Sequence, residues 1–249
     1  DSDTDVDDSL TIVVGDSICE LIGIGGQYDF SSPYTSGYQI FPHHYYDVDI
    51  CVEDTTTIPE PPFYPIPVIN NDDANGEPDS LGVYCWTRGV VLGVDLDGNN
   101  GISFTLWDEE GINVWNFNDV SNYVVTEGVS IMVRGEIDFY NGLTEIFPDS
   151  IMLINQGNPV PEPMEADVPS QETESEPIII HNVMVIDTAQ WPTSSSSNVD
   201  LLTCDGDTIV MRIDTDTDVD ENWPSAPTGM FHITGIGGQF DNSAPYLDN

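Results

Sequence analysis

Apolar and polar residues alternate along most of this chain with a period of two. In "SIMVRGEIDFY" (130–140), Ile131, Val133, Ile137 and Phe139 fall on one face and charged or polar residues fill most of the other. That is the spacing of a strand with one buried side. The same grammar predicts strands at 83–95, 102–110, 112–117 and 143–155, with "DGNNG" (97–101) and "NG" (141–142) as tight turns. A crossing segment, "NDVSNYVVTEG" (118–128), separates the third strand from the fourth. Five strands with a crossing at that point predict a small Greek-key barrel of the OB type over 80–156.

The pattern then restarts. After "QGNPVPEPMEADVPSQETESEP", a first strand is expected at 178–187, a hairpin around "DGD" at 198–214, a crossing at 215–229 and a fourth strand at 230–240. A fifth strand does not follow within the sequence. Its equivalent stands near the other end. "GIGGQYDFSSPY" (Gly23 to Tyr34) matches "GIGGQFDNSAPY" (Gly235 to Tyr246), and "DSDTDVDD" (1–8) matches "DTDTDVDE" (214–221). The repeat motif thus comprises Gly23, Gly25, Gly26 and Gln27, echoed by Gly235, Gly237, Gly238 and Gln239. The spacing is 235 − 23 = 212 residues. Only the first copy continues into "GYQIFPHHYYDVDICVE" (37–53), which has the alternation of a closing strand.

The expected fold is therefore all-β: tandem five-stranded OB-like Greek-key barrels joined by Pro-rich linkers and read out of phase. Residues 1–57 form the C-terminal half of a barrel, strands four and five. Residues 58–79 form a Pro-rich linker, 80–156 a complete barrel and 157–176 a Pro/Glu-rich linker. Residues 177–249 begin a second barrel, completed by residues 1–53 of the next unit. The assembly strand is carried by Gly37, Tyr38, Gln39, Ile40 and Ile50. Either the chain is one turn of a longer covalent array or it is a subunit whose open barrel a neighbour closes by strand addition. Such a contact is heterologous and propagates into a fibre.

Charge narrows the partners. There are 45 acidic residues against three basic ones, Arg88, Arg134 and Arg212, for a net charge of −42. Such a surface repels phosphate backbones, so nucleic acid is not an expected partner. It also repels itself, so salt or divalent cations should favour folding and association. No apolar run approaches the roughly 20 residues that cross a membrane as a helix. The sequence starts inside an acidic run, which reads as a processed or trimmed start.

Candidate chemistry is sparse. Four histidines (His43, His44, His181, His232) and no nucleophile signature such as GxSxG give no convergent catalytic set, so an enzyme is not expected. Asp214, Asp216 and Asp218 stand at i, i+2, i+4, as a calcium loop begins, but Val219 and Ser225 occupy the EF-hand's Gly and Glu positions. Asp95 and Asp97 lie in a second oxygen-rich turn. Ca²⁺ is the one candidate cofactor, against solvated acidic loops. Trp107, Trp115 and Phe117 are expected to pack a core. Cys19, Cys51, Cys85 and Cys204 form no CxxC, and three disulfide pairings or buried free thiols stay open. Asp-(Ser/Thr)-apolar tripeptides occur at Ser9, Ser17, Ser80, Ser150, Thr188 and Thr208, with Thr55 in a related run.

Two sets of motifs carry a family resemblance. They are "TGIGGQFD.S.PY" with "GYQI.P....D", and "TRGVV.GV…NGISFTLWDEEG…VTEG..I.VRGEI….GLTEI.PDSI". They resemble the OB-like modules of large secreted proteins of Bacteroidota, and "TESEPIIIHNVMVIDTAQW" (173–191) looks like the start of the companion module. The resemblance implies export to the cell surface, tandem β-barrels and, at the tripeptides above, O-glycosylation. It implies no single activity, and this chain departs from it in its extreme acidity. The function expected is a structural subunit or repeat of an extracellular head-to-tail filament, with the chain itself as partner and glycans as a further partner class. The alternatives are a Ca-dependent adhesin or carbohydrate-binding surface module, and an accessory region of a secreted nuclease.

Overall fold

The computed structural model describes residues 17–51, 60–98 and 100–247. Ser9, Thr55 and the acidic run 1–8 lie outside the described residues, as does the Ile50 side chain. The protein is mostly β and divides into two compact units, 1–60 and 61–249.

The described part of the first unit is a long, bent hairpin. Strands β1 (Ser17–Leu21) and β2 (Ile24–Gln27) form its first arm, and β3 (Tyr38–Phe41) and β4 (Val48–Cys51) its second. β2 pairs β3 antiparallel, with Gly25 opposite Ile40, and β1 pairs β4, with a bulge between Ile18 and Glu20. A 3-10 turn, Tyr45–Asp47, bends the second arm. The Asp47 carboxylate secures it by accepting the backbone N–H groups of His43 and His44, both at 2.9 Å. Two strands cannot cover their own side chains. Ile18, Ile24, Tyr38, Ile40 and Phe41 are accordingly exposed, and Val48 is buried.

The second unit opens with a closed barrel made of β5 (Tyr84–Leu92), β6 (Ile102–Asp108), β7 (Glu110–Asn116), β8 (Ser130–Tyr140) and β9 (Leu143–Asn155). β5 pairs β6 on one side and β8 on the other, all antiparallel. β9 closes the ring, antiparallel to β8 and parallel to β7 at Asn113↔Glu145 and Val114↔Ile146. The alternating residues point inward as their period requires: Ile102, Phe104, Leu106, Ile112, Val114, Ile131, Val133, Ile137 and Ile146 are all at most 1% exposed.

Residues 61–79 do more than link. Pro65 precedes a one-turn helix, Ile66–Ile69, whose two isoleucines are buried in the barrel core. Backbone bonds tie this segment to β5, from Trp86 N–H to the Pro62 carbonyl at 2.8 Å and from Tyr64 N–H to the Trp86 carbonyl at 2.9 Å. The proline content suggested a spacer. The i, i+3 isoleucines decide otherwise, because each gains roughly 1.5–3 kcal/mol from burial.

A second sheet follows in the same unit, built from β10 (Met164–Glu165), β11 (Pro177–Val185), β12 (Ser197–Leu202), β13 (Thr208–Ile213) and β14 (Phe231–Ile236). Its core includes Ile180, Val183, Trp191, Val199, Leu201 and Ile213. The stretch 157–176 is likewise more than a linker. β10 pairs β11 in parallel, and Thr173, Glu174 and Ser175 are buried.

Candidate assembly site

Four strands of the second sheet repeat the pairing order of the closed barrel, and β10 adds a parallel partner to β11. β11 pairs β12, β12 pairs β13, and β14 returns to β11. In the barrel, β5, β6, β7 and β8 pair in that same order, and β9 then bridges β7 and β8. Among the described residues no strand bridges β13 and β14. Two sheet edges thus flank a position whose occupant, in the barrel, runs parallel to one and antiparallel to the other. The assembly-strand residues lie in the first unit's hairpin. Gly37 opens β3 with φ +70, where a β-carbon would stand 2.0 Å from the Tyr28 carbonyl oxygen. Tyr38, Gln39 and Ile40 pair with Gln27, Gly26 and Gly25, and Ile50 with Ile18.

The two copies of the repeated phrase adopt one local structure. Gln27 donates its amide N–H to the Tyr34 carbonyl at 2.6 Å, and Gln239 donates to the Tyr246 carbonyl at 2.6 Å. Asp29 accepts the Ser31 N–H at 3.1 Å, and Asp241 accepts the Ser243 N–H at 3.0 Å. The peptide bonds before Pro33 and Pro245 are both cis. The glutamine thus clamps a loop closed by the aspartate turn. Sequence reading noted the glutamine without assigning it this task; its fixed distance of seven residues from the tyrosine in both copies was the available signal.

Their surroundings differ. The second copy lies on the barrel's β8–β9 turn. The Asp241 N–H bonds the Asn141 carbonyl at 2.6 Å, and the Tyr246 N–H bonds the Asn75 carbonyl at 2.7 Å. The Tyr246 ring meets Phe139 edge-on at 4.9 Å. Gly237 is buried and exchanges 2.8 Å backbone bonds with Ser175 and Glu176. In the first copy the equivalent Gly25 is exposed, and Tyr34 is 59% exposed.

Carboxylates hold the barrel to the second sheet. Glu176 accepts the Trp107 indole N–H at 3.0 Å and the Gly111 N–H at 2.7 Å. Glu174 accepts the Thr144 N–H at 2.8 Å, and Gln171 bridges Glu174 and Asp72 at 2.7 Å each. Burial pushes the Glu174 carboxyl up to about 7 and raises Asp72 as well. Both glutamates looked like linker residues, since a Pro/Glu-rich composition carries no mark of which carboxylate will be buried.

The other expected residues disperse. A β-carbon on Gly98 would stand 2.3 Å from an Asp216 oxygen, so the two acidic loops do meet. Asp95 caps its own turn, accepting the Asp97 and Ser103 N–H groups, and Asp214 accepts from Asp216 and Arg212. Among the described residues no three acidic, His or Cys side chains converge as a metal set. Trp107, Trp115 and Phe117 do not pack the core. Trp107 and Trp115 stand on the outward-facing positions of β6 and β7, where strand alternation sends every second side chain away from the barrel interior, and Phe117, just past the end of β7, is exposed. Trp115, Phe117, Tyr140 and Phe147 line a groove of about 850 Å³ with Glu136, Asp138 and Glu145. Burial pushes Glu145 up to about 7, although the Asn113 amide donates to it at 3.0 Å.

Ser17, Thr188 and Thr208 are exposed, and Ser150 is half-buried. Ser80 is buried with its hydroxyl given to the Ile69 carbonyl, so it leaves the set of glycan acceptors. Cys19 is in a disulfide, whereas Cys85 and Cys204 are free; desolvation pushes the Cys85 thiol up to about 11. No family model and no curated protein matches the chain.

Proposed function

We propose that this protein is a structural subunit or repeat of an extracellular head-to-tail filament of OB-like β-barrels. One observation supports the reading above others. Four strands of the second sheet repeat the pairing order of β5, β6, β7 and β8, no described strand lies between β13 and β14, and the separate hairpin β1–β4 supplies the strands that we assign to that position. An edge of unpaired backbone groups calls for a strand to cover it. Donor and acceptor surfaces differ, so the contact is heterologous and extends into a fibre or a tandem array. Export and O-glycosylation at exposed hydroxyls such as Thr188 and Thr208 follow the resemblance stated above. Electron microscopy of the chain and of a variant lacking residues 1–53 tests the proposal. The parent should form fibres of constant axial repeat and the deletion variant should remain monomeric. Normal fibres from the deletion variant would overturn it.

A second reading draws on the groove. Flat rings at Trp115 and Phe147 beside the hydrogen-bonding groups of Asn113 and Glu145 suit a sugar face, as in a carbohydrate-binding surface module. A glycan array with the parent and Trp115→Ala tests it. Binding that the substitution removes supports this reading, and a blank array rejects it.

A further inference from the structure

We infer that the first copy of the repeated motif is a docking element that takes the place of the second copy on another molecule of this chain. The inference rests on the head-to-tail reading above. Its basis is a pair of glycines. A β-carbon on Gly237 would stand 1.9 Å from the Thr173 carbonyl oxygen, so that position excludes any side chain. Gly25, its equivalent, meets nothing within 4 Å. The first copy therefore keeps a glycine where its own surroundings demand none, as a surface shaped for the Thr173–Glu176 turn would require.

The tyrosines agree. Tyr246 lies on Phe139 and bonds Asn75, whereas Tyr34 is held by the same glutamine clamp and points its ring into solvent. The docking surface is thus the turn Thr173–Glu176 together with the rim formed by Asn75, Gly76 and Phe139–Gly142. The occupant is the segment Gly23–Tyr34 of a second molecule. That rim already holds the second copy, so docking is an exchange. The incoming copy brings β3 and β4 with it, paired to its own β2 and β1, as the strands offered to the open edge of β13. The resident copy has no such strand among the described residues. The added pairing favours the exchange.

The test is photo-crosslinking on the full chain. p-Benzoylphenylalanine replaces Tyr34, and ¹⁵N-labelled and unlabelled molecules are mixed during assembly. Crosslinks from residue 34 to residues 75–76 or 139–142 in mixed-isotope pairs are expected. The same probe at Tyr246 should give fewer same-molecule crosslinks to Phe139 after assembly than before. Gly25→Ala provides the second arm. It should leave the melting temperature of the unassembled chain unchanged and raise the concentration needed for assembly on the order of tenfold. Fibres that form with residue 34 crosslinked elsewhere, or that tolerate Gly25→Ala, would overturn the docking while leaving the strand-completed filament standing. Absence of any fibre, with no mixed-isotope product, would overturn both.

Discussion

Gly237 lies so close to Thr173 that the carbonyl oxygen of one fills the space a β-carbon on the other would need, 1.9 Å away. The contact joins the end of β14 to the turn that carries Glu174 and Glu176. Gly237→Ala must push that turn off the barrel or break the 2.8 Å backbone bonds beside it. Overpacking of this kind costs about 1–3 kcal/mol. Gly235→Ala meets nothing within 4 Å and serves as the control, within about 0.5 kcal/mol of the parent. Urea unfolding of the two variants checks the difference.

Glu176 holds two donors on one carboxylate, the Trp107 indole and the Gly111 amide. Glu176→Gln turns one oxygen into a donor and leaves a partner unsatisfied, at about 1–3 kcal/mol. The expected result is faster limited proteolysis within 157–176 while the barrel core resists. Unchanged cleavage would mean the clamp is not what holds the junction.

Glu145 and Glu174 are both pushed up to about 7 by burial. A carboxyl that ionises less readily in the folded chain than in the unfolded one opposes folding once the unfolded form is charged. The penalty is absent below about pH 4.5, grows as pH rises, and is complete above about 7. Melting temperature should therefore fall between pH 5 and pH 8. Glu145→Gln removes one such group, so its advantage over the parent should widen with pH to on the order of 2–3 kcal/mol. A difference that stays flat with pH would contradict this.

Ile66 is fully buried in the barrel core although it lies in a proline-rich stretch. Ile66→Ala should cost about 2–5 kcal/mol, as for any large core side chain. The neighbouring Val68 is exposed, and Val68→Ala should cost little. Thermal melts of the two variants separate a packed segment from a spacer.

A net charge of −42 makes ionic strength a strong variable. Screening reaches about 10 Å at 0.1 M salt, so dilution to about 0.01 M should lower both melting temperature and fibre mass. Chelator should matter as well if the loops holding Asp95 and Asp216 take up a divalent cation. Indifference to salt and to EDTA together would leave those aspartates as solvated loops.

Much of the strand plan was legible because alternation is a local property. The strands Ser130–Tyr140 and Leu143–Asn155 have the bounds their pattern predicts, and the hairpin of β12 and β13 turns at "DGD" as its residues require. The linkers misled because proline content says nothing about where neighbouring isoleucines go. The aromatic positions misled for a related reason. Trp107 on β6 and Trp115 on β7 fall on regular alternating positions, but which face of each strand turns inward depends on the partner strands.

The sequence by itself determined the β class, the strand positions in the barrel and the recurrence of one motif, since each rests on residue types at short spacing. It also determined the charge, which sets how the molecule meets ions. Only the tertiary structure decided that Ile66 and Ile69 fill the barrel, that Glu174 and Glu176 clamp its end, and that Gly237 is packed where Gly25 is bare. Those are contacts between segments far apart in the chain. Identical local sequences can stand in different surroundings, so no window of sequence records which surroundings they meet.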